Sequence, residues 1–402
     1  MIRSARWFTL FAAAVLATMA AGPVPADETQ PSRKTYLRLI DIQELWDEKR
    51  YEEAIGELQE LAGETRDNPR DYALTNQYLA HTYVLNGQSR RARAALETAL
   101  GVGGLAPQLR AELQLFYGQV LVGAEEFETA RENLEAWYAV AEEPPQPSEV
   151  FALSYANYMT GNLERAGQLL EQLIAARDGW SDESWDRLYY QILFDQKRYE
   201  EAEQVIMTLV ARRPDYEDYW LLLVNHYMRI EESRQALATL VLGYLQEQFV
   251  SAADKERMVS LYGHVEIPEK AARLLEQWMA DGSLERTPDN LRRLGDLWLL
   301  ARERDRAKAA LLEAAGVAPD GRTYELLGGI YLQDEEWARA HEAFAEALAL
   351  GGLNNPDRVH LLAGLSAQRA GRYAEARESL ERAKASEPLR RQAEALLRQL
   401  PP

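Results

Sequence analysis

An alanine recurs ten times along this 402-residue chain, at intervals of 33 to 38 residues. These anchor alanines are Ala54, Ala92, Ala130, Ala166, Ala202, Ala236, Ala271, Ala307, Ala340 and Ala376. The residue four positions after each anchor is always large and apolar. Residues four apart lie on the same face of an α-helix, so each pair predicts a buried helical stripe. A unit this short cannot bury its stripe alone, so the repetition predicts a stack of similar units.

A second periodic position lies nine residues before each anchor. Eight of the ten residues there can fill a core: Leu45, Tyr83, Leu121, Leu193, Tyr227, Tyr262, Trp298 and Tyr331. The exceptions are Asn157 and Ala367, and Tyr158 beside the former predicts a turn that is one residue shorter. Turn-like segments such as DEKRYEEA and DQKRYEEA separate this position from the anchor. Each unit is therefore predicted to be two helices joined by a short turn.

Residues 324–350, YELLGGIYLQDEEWARAHEAFAEALAL, show the unit most clearly. Their key residues are Tyr324, Leu327, Gly328, Tyr331, Ala340, Phe344 and Ala347. The pattern resembles the tetratricopeptide repeat, and the resemblance covers roughly residues 36–400. It implies an all-α solenoid, a right-handed superhelix of about ten helix-turn-helix repeats, with a C-terminal cap helix and tail at residues 389–402. Gly328 and Ala340 are predicted to be small because the two helices approach closely there.

The first 26 residues have the pattern of a secretory signal peptide. Arg3 and Arg6 precede an apolar run at residues 7–21, and Val24-Pro25-Ala26 predicts cleavage after Ala26. We therefore expect export to the periplasm, with an uncleaved N-terminal anchor as the alternative. The chain has no cysteine, which excludes disulfides, thiolate metal sites and a lipid-modified N-terminal cysteine.

Charge divides the predicted array. The chain has 64 acidic and 45 basic residues, and this excess of negative charge argues against a nucleic-acid partner. The excess lies before residue 286, because residues 286–402 carry 18 residues of each sign. We expect a disordered leader at residues 27–35, an acidic array of about seven repeats at 36–285 and a charge-balanced array of three repeats at 286–388. The longer connections at residues 144–147 and 280–283 are either subdomain boundaries or ordinary inter-repeat loops.

The sequence offers no recognisable chemistry. It lacks phosphate-binding glycine loops, the HExxH metal motif and the GxSxG nucleophile motif. The five histidines lie in separate repeats, and adjacent carboxylates lie at turns or helix starts, where they favour the helix dipole. We therefore expect no catalytic site, no cofactor and no metal, with an enzyme or enzyme subunit as the rival class.

Two groups of residues are predicted to face a partner groove on the first helices. The aromatic group is Phe116, Phe151, Tyr155 and Phe194, with core packing as the alternative. The basic group is Arg187, Arg257, Arg292, Arg293, Arg322, Arg358 and Arg369, with solvated or salt-bridged helix arginines as the alternative. A basic groove would suit carboxylates of a partner. Asn225 has a clamp-like position, but Leu221 replaces the basic residue that a carboxylate clamp needs.

These observations predict a non-catalytic periplasmic scaffold that holds a protein or peptide partner and reaches a membrane only through that partner. The last four repeats give a narrower resemblance. SLYGHVEIPEKAARLLEQWMADGSLERTPDNLRRLGDLWLLARERDRAKAALLEAA and ALALGGLNNPDRVHLLAGLSAQRAGRYAEA are similar to the tetratricopeptide proteins that accompany TonB–ExbB–ExbD systems. That resemblance implies support of TonB-dependent transport. The alternatives are an assembly or secretion factor for envelope proteins and an accessory subunit of a cell-wall enzyme.

Overall fold

The structure is a computed structural model that describes residues 31–141, 144–176 and 183–401. Within these ranges all regular secondary structure is helical, with 21 α-helices and no strand. The predicted signal peptide and residues 27–30 of the predicted leader lie outside the described residues. None of the helices in the described part of the chain has both the length and the apolar character that crossing a membrane requires.

The chain forms two compact units that divide between Thr208 and Leu209. The first unit contains α1 (Arg33–Asp47), α2 (Tyr51–Glu64), α3 (Pro69–Leu85), α4 (Ser89–Leu100), α5 (Pro107–Gly123), α6 (Phe127–Tyr138), α7 (Pro147–Met159), α8 (Leu163–Ala175) and α9 (Glu183–Asp195). The division falls within α10 (Tyr199–Arg212) and therefore differs from the charge boundary at residues 285 and 286.

The second unit contains eleven further helices. They are α11 (Glu217–Arg229), α12 (Ser233–Leu245), α13 (Ala252–His264), α14 (Pro268–Ala280), α15 (Pro288–Leu300), α16 (Arg304–Val317), α17 (Gly321–Gln333), α18 (Trp337–Leu350), α19 (Pro356–Arg369), α20 (Tyr373–Lys384) and α21 (Arg390–Leu397). Successive helices pack against each other from α1 to α9 in the first unit and from α11 to α21 in the second. The helices thus form ten hairpins of a first and a second helix, from α1–α2 to α19–α20, which confirms the predicted all-α repeat fold.

The anchor alanines and their apolar partners form the centre of each hairpin. All ten anchors have an exposed fraction of 0%, and so do the ten large apolar residues that follow them by four positions. Complete burial of both positions in every hairpin confirms the register that the sequence predicts. Burying each of these large apolar side chains contributes roughly 1.5–3 kcal/mol to stability.

The ten turns share one backbone geometry. The residue five positions before each anchor has a positive φ, and in seven of the ten turns that residue is not glycine. The next N–H donates to the carbonyl oxygen of the residue nine before the anchor, at 2.7–3.0 Å. This is the Schellman arrangement that ends an α-helix. Asn157 forms it too, through the N–H of Asn162 at 2.8 Å, so the shorter turn predicted from Tyr158 is wrong.

Helix α1 begins earlier than predicted. Residues 33–35, assigned to a disordered leader, form its first turn, and Ser32 caps it by accepting a hydrogen bond from the Thr35 N–H. Asp71 of α3 fixes this end of the chain, because its carboxylate accepts from the Ser32 N–H and from the Thr35 hydroxyl, both at 2.9 Å. This contact spans more than 30 residues, which is why local periodicity did not find it.

The C-terminal cap helix is present as α21. Ala393 and Leu400 are buried in one apolar cluster with Leu361 and Leu380 of the last hairpin. Leu396 is partly buried against the same cluster. The cap therefore covers the apolar face of the α19–α20 hairpin.

Candidate functional site

A cleft of about 810 Å³ lies in the second unit between α13 and α15, which are first helices of successive hairpins. Its size is within the roughly 300–1,000 Å³ typical of ligand clefts. Its charged lining residues are Glu256, Glu285, Asp289, Arg292, Arg293 and Asp296. Two of the eleven predicted groove residues, Arg292 and Arg293, therefore share one site.

The long connection before α15 forms part of the cleft wall. The Leu284 side chain is buried, and its N–H donates to the Trp278 carbonyl oxygen at 2.9 Å. The Asn290 side-chain amide donates to the Glu285 carbonyl oxygen at 2.9 Å, while the Thr287 hydroxyl caps α15 by accepting from the Asn290 N–H at 3.2 Å. These hydrogen bonds hold the connection in one conformation, so it forms a fixed wall of the cleft at this end.

Arg292 is held between α15 and α17. Its Nη2 lies 2.6 Å from an Asp289 carboxylate oxygen, and its Nη1 lies 3.7 Å from Asp320. Asp320 also caps α17 by accepting from the N–H of Thr323 at 3.1 Å. Asp289 is 82% exposed, so its ion pair with Arg292 contributes no more than about 1 kcal/mol to stability. Asp289 therefore orients the Arg292 guanidinium, and a carboxylate of a binding partner could replace Asp289 at little cost in free energy.

Arg293 faces the cleft with only uncharged acceptors. Its Nη2 donates to the Glu256 carbonyl oxygen at 3.2 Å and to the Ser260 hydroxyl. No carboxylate of the described residues lies within 4.0 Å of it. Burial lowers the pKa of Arg293, but an arginine keeps its charge in a protein. A half-buried guanidinium with unused N–H donors therefore lies in the cleft.

Asp296 lies one helical turn after Arg293 and also lines the cleft. Within the described part of the chain its carboxylate has no hydrogen-bond or ion-pair partner. Neighbouring protein atoms displace water and raise the pKa of Asp296, and the Arg292 charge partly opposes that rise. The side chain is nonetheless solvent-exposed, so we expect the carboxylate to be ionised near neutral pH.

The predicted aromatic anchors all lie in the first unit, and two of them are not accessible. Phe151 is 4% exposed and Phe194 is 9% exposed, so the prediction of groove-facing rings is wrong for both. The spacing on a first helix does not show which part of its face other elements cover. The Phe194 ring lies 5.1 Å from that of Tyr199 on α10, the second helix of its hairpin. Phe116 and Tyr155 are partly buried, with the Tyr155 ring stacked 6.4 Å from that of Phe151.

Two further predicted arginines are paired with carboxylates of their own helices. The Arg187 Nε lies 3.3 Å from Glu183, and the Arg257 Nη1 lies 3.0 Å from Asp254. Both pairs are spaced three or four residues apart, as is typical of neighbours on a helix surface. The alternative of salt-bridged helix arginines therefore describes these two residues.

The remaining arginines do not join the cleft lining. The Arg322 Nε donates to the Gly352 carbonyl oxygen at 3.2 Å. Arg358 is exposed, and the Arg369 guanidinium lies 5.9 Å from the centre of the Trp337 ring. The contribution of these three arginines to binding stays a prediction.

Glu256, Ser260 and Asp296 were not predicted from the sequence. The signal was available, because Asp296 has the same register, eleven residues before its anchor, as Tyr155. The opposite charges on α15 are a finding of the structure.

Histidines and carboxylates do not gather into a metal site within the described ranges. The buried His341 bridges two hairpins, with its Nδ1 3.1 Å from the Ala363 carbonyl oxygen and its Nε2 2.7 Å from Glu375. Burial lowers the pKa of His81, whose ring lies 4.7 Å from that of Trp46. Each of these two histidines is accounted for by its packing or its hydrogen bonds.

A family model for the tetratricopeptide repeat matches residues 79–147, which include the end of α3, all of α4 and the α5–α6 hairpin. The other eight hairpins have the same register, turn geometry and buried positions. No curated protein matches the sequence at a significant level.

Solved structures with similar folds include a tetratricopeptide repeat protein from Parabacteroides merdae, at 16% identity and a TM-score of 0.35, covering 64% of this chain and 98% of that one. A chain of the APC/C hetero-tetramer Cut9–Hcn1 covers 92% of this chain and 96% of its own, at 15% identity and a TM-score of 0.35. YrrB, described as having an unusual peptide-binding site, covers 47% and 96%, at 18% identity and a TM-score of 0.38. At such similarity, the partners of these proteins say nothing about this chain.

Proposed function

We propose that this tetratricopeptide repeat protein is a non-catalytic scaffold that binds a segment of another protein in the cleft between α13 and α15. Tetratricopeptide repeats generally mediate protein–protein interaction. The observation that carries the proposal is the cleft itself, which has a volume of about 810 Å³ and a charged lining that can pair with the charged side chains of a partner segment. Arg292 and Arg293 present guanidinium donors there, and arginine is enriched at interface centres.

Photo-crosslinking tests this proposal directly. A photoreactive amino acid replaces the exposed rim residue Asp289 in the exported form of the protein, and the crosslinked partner is identified by mass spectrometry. We expect one dominant product, and we expect Arg292→Glu to reduce it about tenfold because the reversed charge repels what the cleft binds. Arg391→Glu on α21 makes the same charge change outside the cleft and is the matched control. Equal crosslinking in both variants would contradict the proposal.

The place of action is the second part of the proposal. Arg3 and Arg6, the apolar run and the Val24-Pro25-Ala26 segment support export to the periplasm by a cleavable signal peptide. Fractionation of the native host and N-terminal sequencing test this. We expect the mature chain to begin at Asp27 in the periplasmic fraction, and recovery of the uncleaved chain in the membrane fraction would favour the anchored alternative.

A narrower proposal is that the scaffold supports TonB-dependent transport. The resemblance of the last four repeats to proteins accompanying TonB–ExbB–ExbD systems supports it. We expect deletion of the gene to slow growth on a substrate that requires TonB-dependent uptake. The wild-type chain should restore growth, and the Arg292→Glu variant should not. If the deletion strain takes up the substrate normally and the protein crosslinks to an outer-membrane assembly protein or a cell-wall enzyme, the TonB proposal is wrong. The corresponding alternative then takes its place.

A further inference from the structure

Two opposite charges without ion-pair partners lie side by side in the cleft of the second unit. Arg293 and Asp296 are three residues apart on α15, so their Cα atoms are separated by about 4.5 Å along the helix axis. Neither has a carboxylate or cationic nitrogen within 4.0 Å among the described residues. Both side chains line the same cleft.

Protein atoms remove part of the water around these two groups, and opposite charge reaches them only through space, from Arg292 to Asp296 and from Glu256 to Arg293. Arg293 donates only to a backbone carbonyl oxygen and to the Ser260 hydroxyl. Protein atoms around Asp296 disfavour its charged form, which raises the pKa of its carboxyl group. A charge that is partly desolvated and unpaired is costly, and a ligand that supplies the opposite charge recovers that free energy.

The neighbouring charges of the cleft do not satisfy this pair. Arg292 is already oriented by Asp289 and Asp320, at 2.6 Å and 3.7 Å. Glu256 lies on α13 across the cleft, but its carboxylate influences Arg293 only through space, and it is the Glu256 carbonyl oxygen that accepts the hydrogen bond. The pair on α15 is therefore available to an incoming segment.

From this charge pattern we propose that the cleft binds a protein segment in which a basic and an acidic side chain lie next to each other. The acidic side chain of the segment pairs with Arg293, and its lysine or arginine pairs with Asp296. This inference rests on the proposed protein-binding function and specifies the chemistry of its partner. It differs from a basic groove that captures carboxylates alone, because the lining holds four carboxylates beside its two guanidinium groups.

A library of random 12-residue peptides displayed on phage tests the proposal on the exported form of the protein. We expect selected peptides to carry a lysine or arginine within about three residues of an aspartate or glutamate. Their affinity should fall about tenfold with Arg293→Gln and about tenfold with Asp296→Asn, since each variant leaves one ligand charge unpaired. Arg391→Gln and Glu394→Gln, on α21 with the same spacing and outside the cleft, should change affinity less than twofold.

A double-mutant cycle shows which peptide side chain contacts Arg293 and which contacts Asp296. Replacing the acidic residue of a selected peptide by glutamine should abolish its sensitivity to Arg293→Gln, and replacing the basic residue should abolish its sensitivity to Asp296→Asn. Arg293→Lys keeps the positive charge, so it should retain most of the affinity and shows whether Arg293→Gln acts through charge or through folding. Circular dichroism confirms that each variant is folded.

Two results would overturn the proposal. Selected peptides with charges of one sign only would contradict the mixed-charge segment, and binding unaffected by both cleft variants would contradict the site. If the photo-crosslinked partner is still captured by the Arg293→Gln, Asp296→Asn double variant but not by Arg292→Glu, the scaffold function stands and the mixed-charge recognition fails.

Discussion

At the scale of single residues, the ten hairpin turns show how the chain tolerates a strained backbone. In seven of them the residue with a positive φ is a lysine, glutamate or arginine, and its φ lies between 60° and 63°. A side chain in this region costs roughly 1–2 kcal/mol relative to the right-handed helix. Glycine relieves the strain but loses more conformational entropy on folding, by roughly 0.5–1 kcal/mol. The difference between these two terms predicts that glycine at these positions makes the protein slightly more stable.

The Glu335 turn provides a test of this balance. We expect Glu335→Gly to raise the free energy of unfolding by about 0.5 kcal/mol, because the residue has a φ of 60° and its side chain makes no ion pair within the described residues. The reverse change in the next turn, Gly371→Ala at a φ of 77°, should lower it by about 1 kcal/mol. Urea unfolding measures both. A stabilised Gly371→Ala variant would show that turn strain is not the controlling quantity.

At the scale of elements, the two helices of a hairpin approach closely where the first helix has a very small residue. A Cβ atom placed on Gly328 would lie 2.6 Å from Cδ1 of Phe344, which confirms the close approach predicted from the sequence. Gly118, Gly295 and Gly364 stand at the same position in their hairpins, each opposite the buried leucine that follows its anchor. Small residues at this position therefore set the distance between paired helices.

Adjacent glycines of α17 give a matched pair of variants. We expect Gly328→Ala to lower the free energy of unfolding by about 1–3 kcal/mol, because the added methyl group overlaps Phe344. Gly329→Ala has no heavy atom within 4 Å of the added Cβ and should raise it by about 0.5–1 kcal/mol, since alanine favours a helix interior. Thermal and urea unfolding of the two variants should therefore shift in opposite directions. A similar loss in both would contradict the packing explanation.

Tyrosine–carboxylate hydrogen bonds join helices of the first unit. Tyr117 donates to Glu97 at 2.8 Å and Tyr189 donates to Glu171 at 3.0 Å. Burial, with the nearby carboxylate, raises the pKa of each of these tyrosines to about 12. In the unfolded chain the tyrosine pKa is about 10. The folded state therefore retains protons between pH 10 and 12 that the unfolded state has released.

We expect the stability contributed by these two tyrosines to be intact below pH 10 and to be lost as the pH rises from 10 to 12. Absorbance at the tyrosinate band, compared between the wild type and a Tyr117→Phe, Tyr189→Phe variant, measures their ionisation. The difference in tyrosinate absorbance between the two proteins should develop near pH 12. The exposed Tyr373, replaced by phenylalanine, is the control. A difference that develops near pH 10 would show that these hydroxyl groups are not held by the fold.

At the scale of the whole molecule, the stability of a repeat array depends on its ends as well as its interfaces. Within the second unit, each apolar hairpin face is covered by the next hairpin until α20, which has only α21 after it. Leu400 and Ala393 are buried against Leu361 and Leu380, and Leu396 packs at the edge of this cluster. The cap is therefore part of the core of its unit.

Truncation after Ser386 removes the cap. We expect it to lower the free energy of unfolding by about 3 kcal/mol or more, because it uncovers Leu380 and removes several packed leucines, each contributing roughly 1.5–3 kcal/mol when fully buried. A hydrophobic dye should bind the exposed face. Glu394→Ala, a surface change on the same helix, should alter stability by no more than about 0.5 kcal/mol. Unchanged stability of the truncated chain would contradict a core role for α21.

The sequence alone determined the number of hairpins and their register. Each anchor alanine and the apolar residue four positions later lie on one helical face, and this local periodicity is sufficient to predict which positions are buried. The turn positions followed from the same pattern, and the cap helix was implied by the resemblance to tetratricopeptide proteins. The start of α1 did not, because Asp71 completes it from another hairpin.

The tertiary structure alone decided which side chains remain accessible and how their charges combine. Phe151 and Phe194 have groove-like spacing, yet both are buried because neighbouring elements cover them. Arg292 and Arg293 were predicted, but their partners, and the unpaired Asp296 beside them, depend on distances between α13, α15 and α17. Periodicity fixes the face on which a residue lies, whereas burial and charge pairing arise only when separate helices are brought into contact.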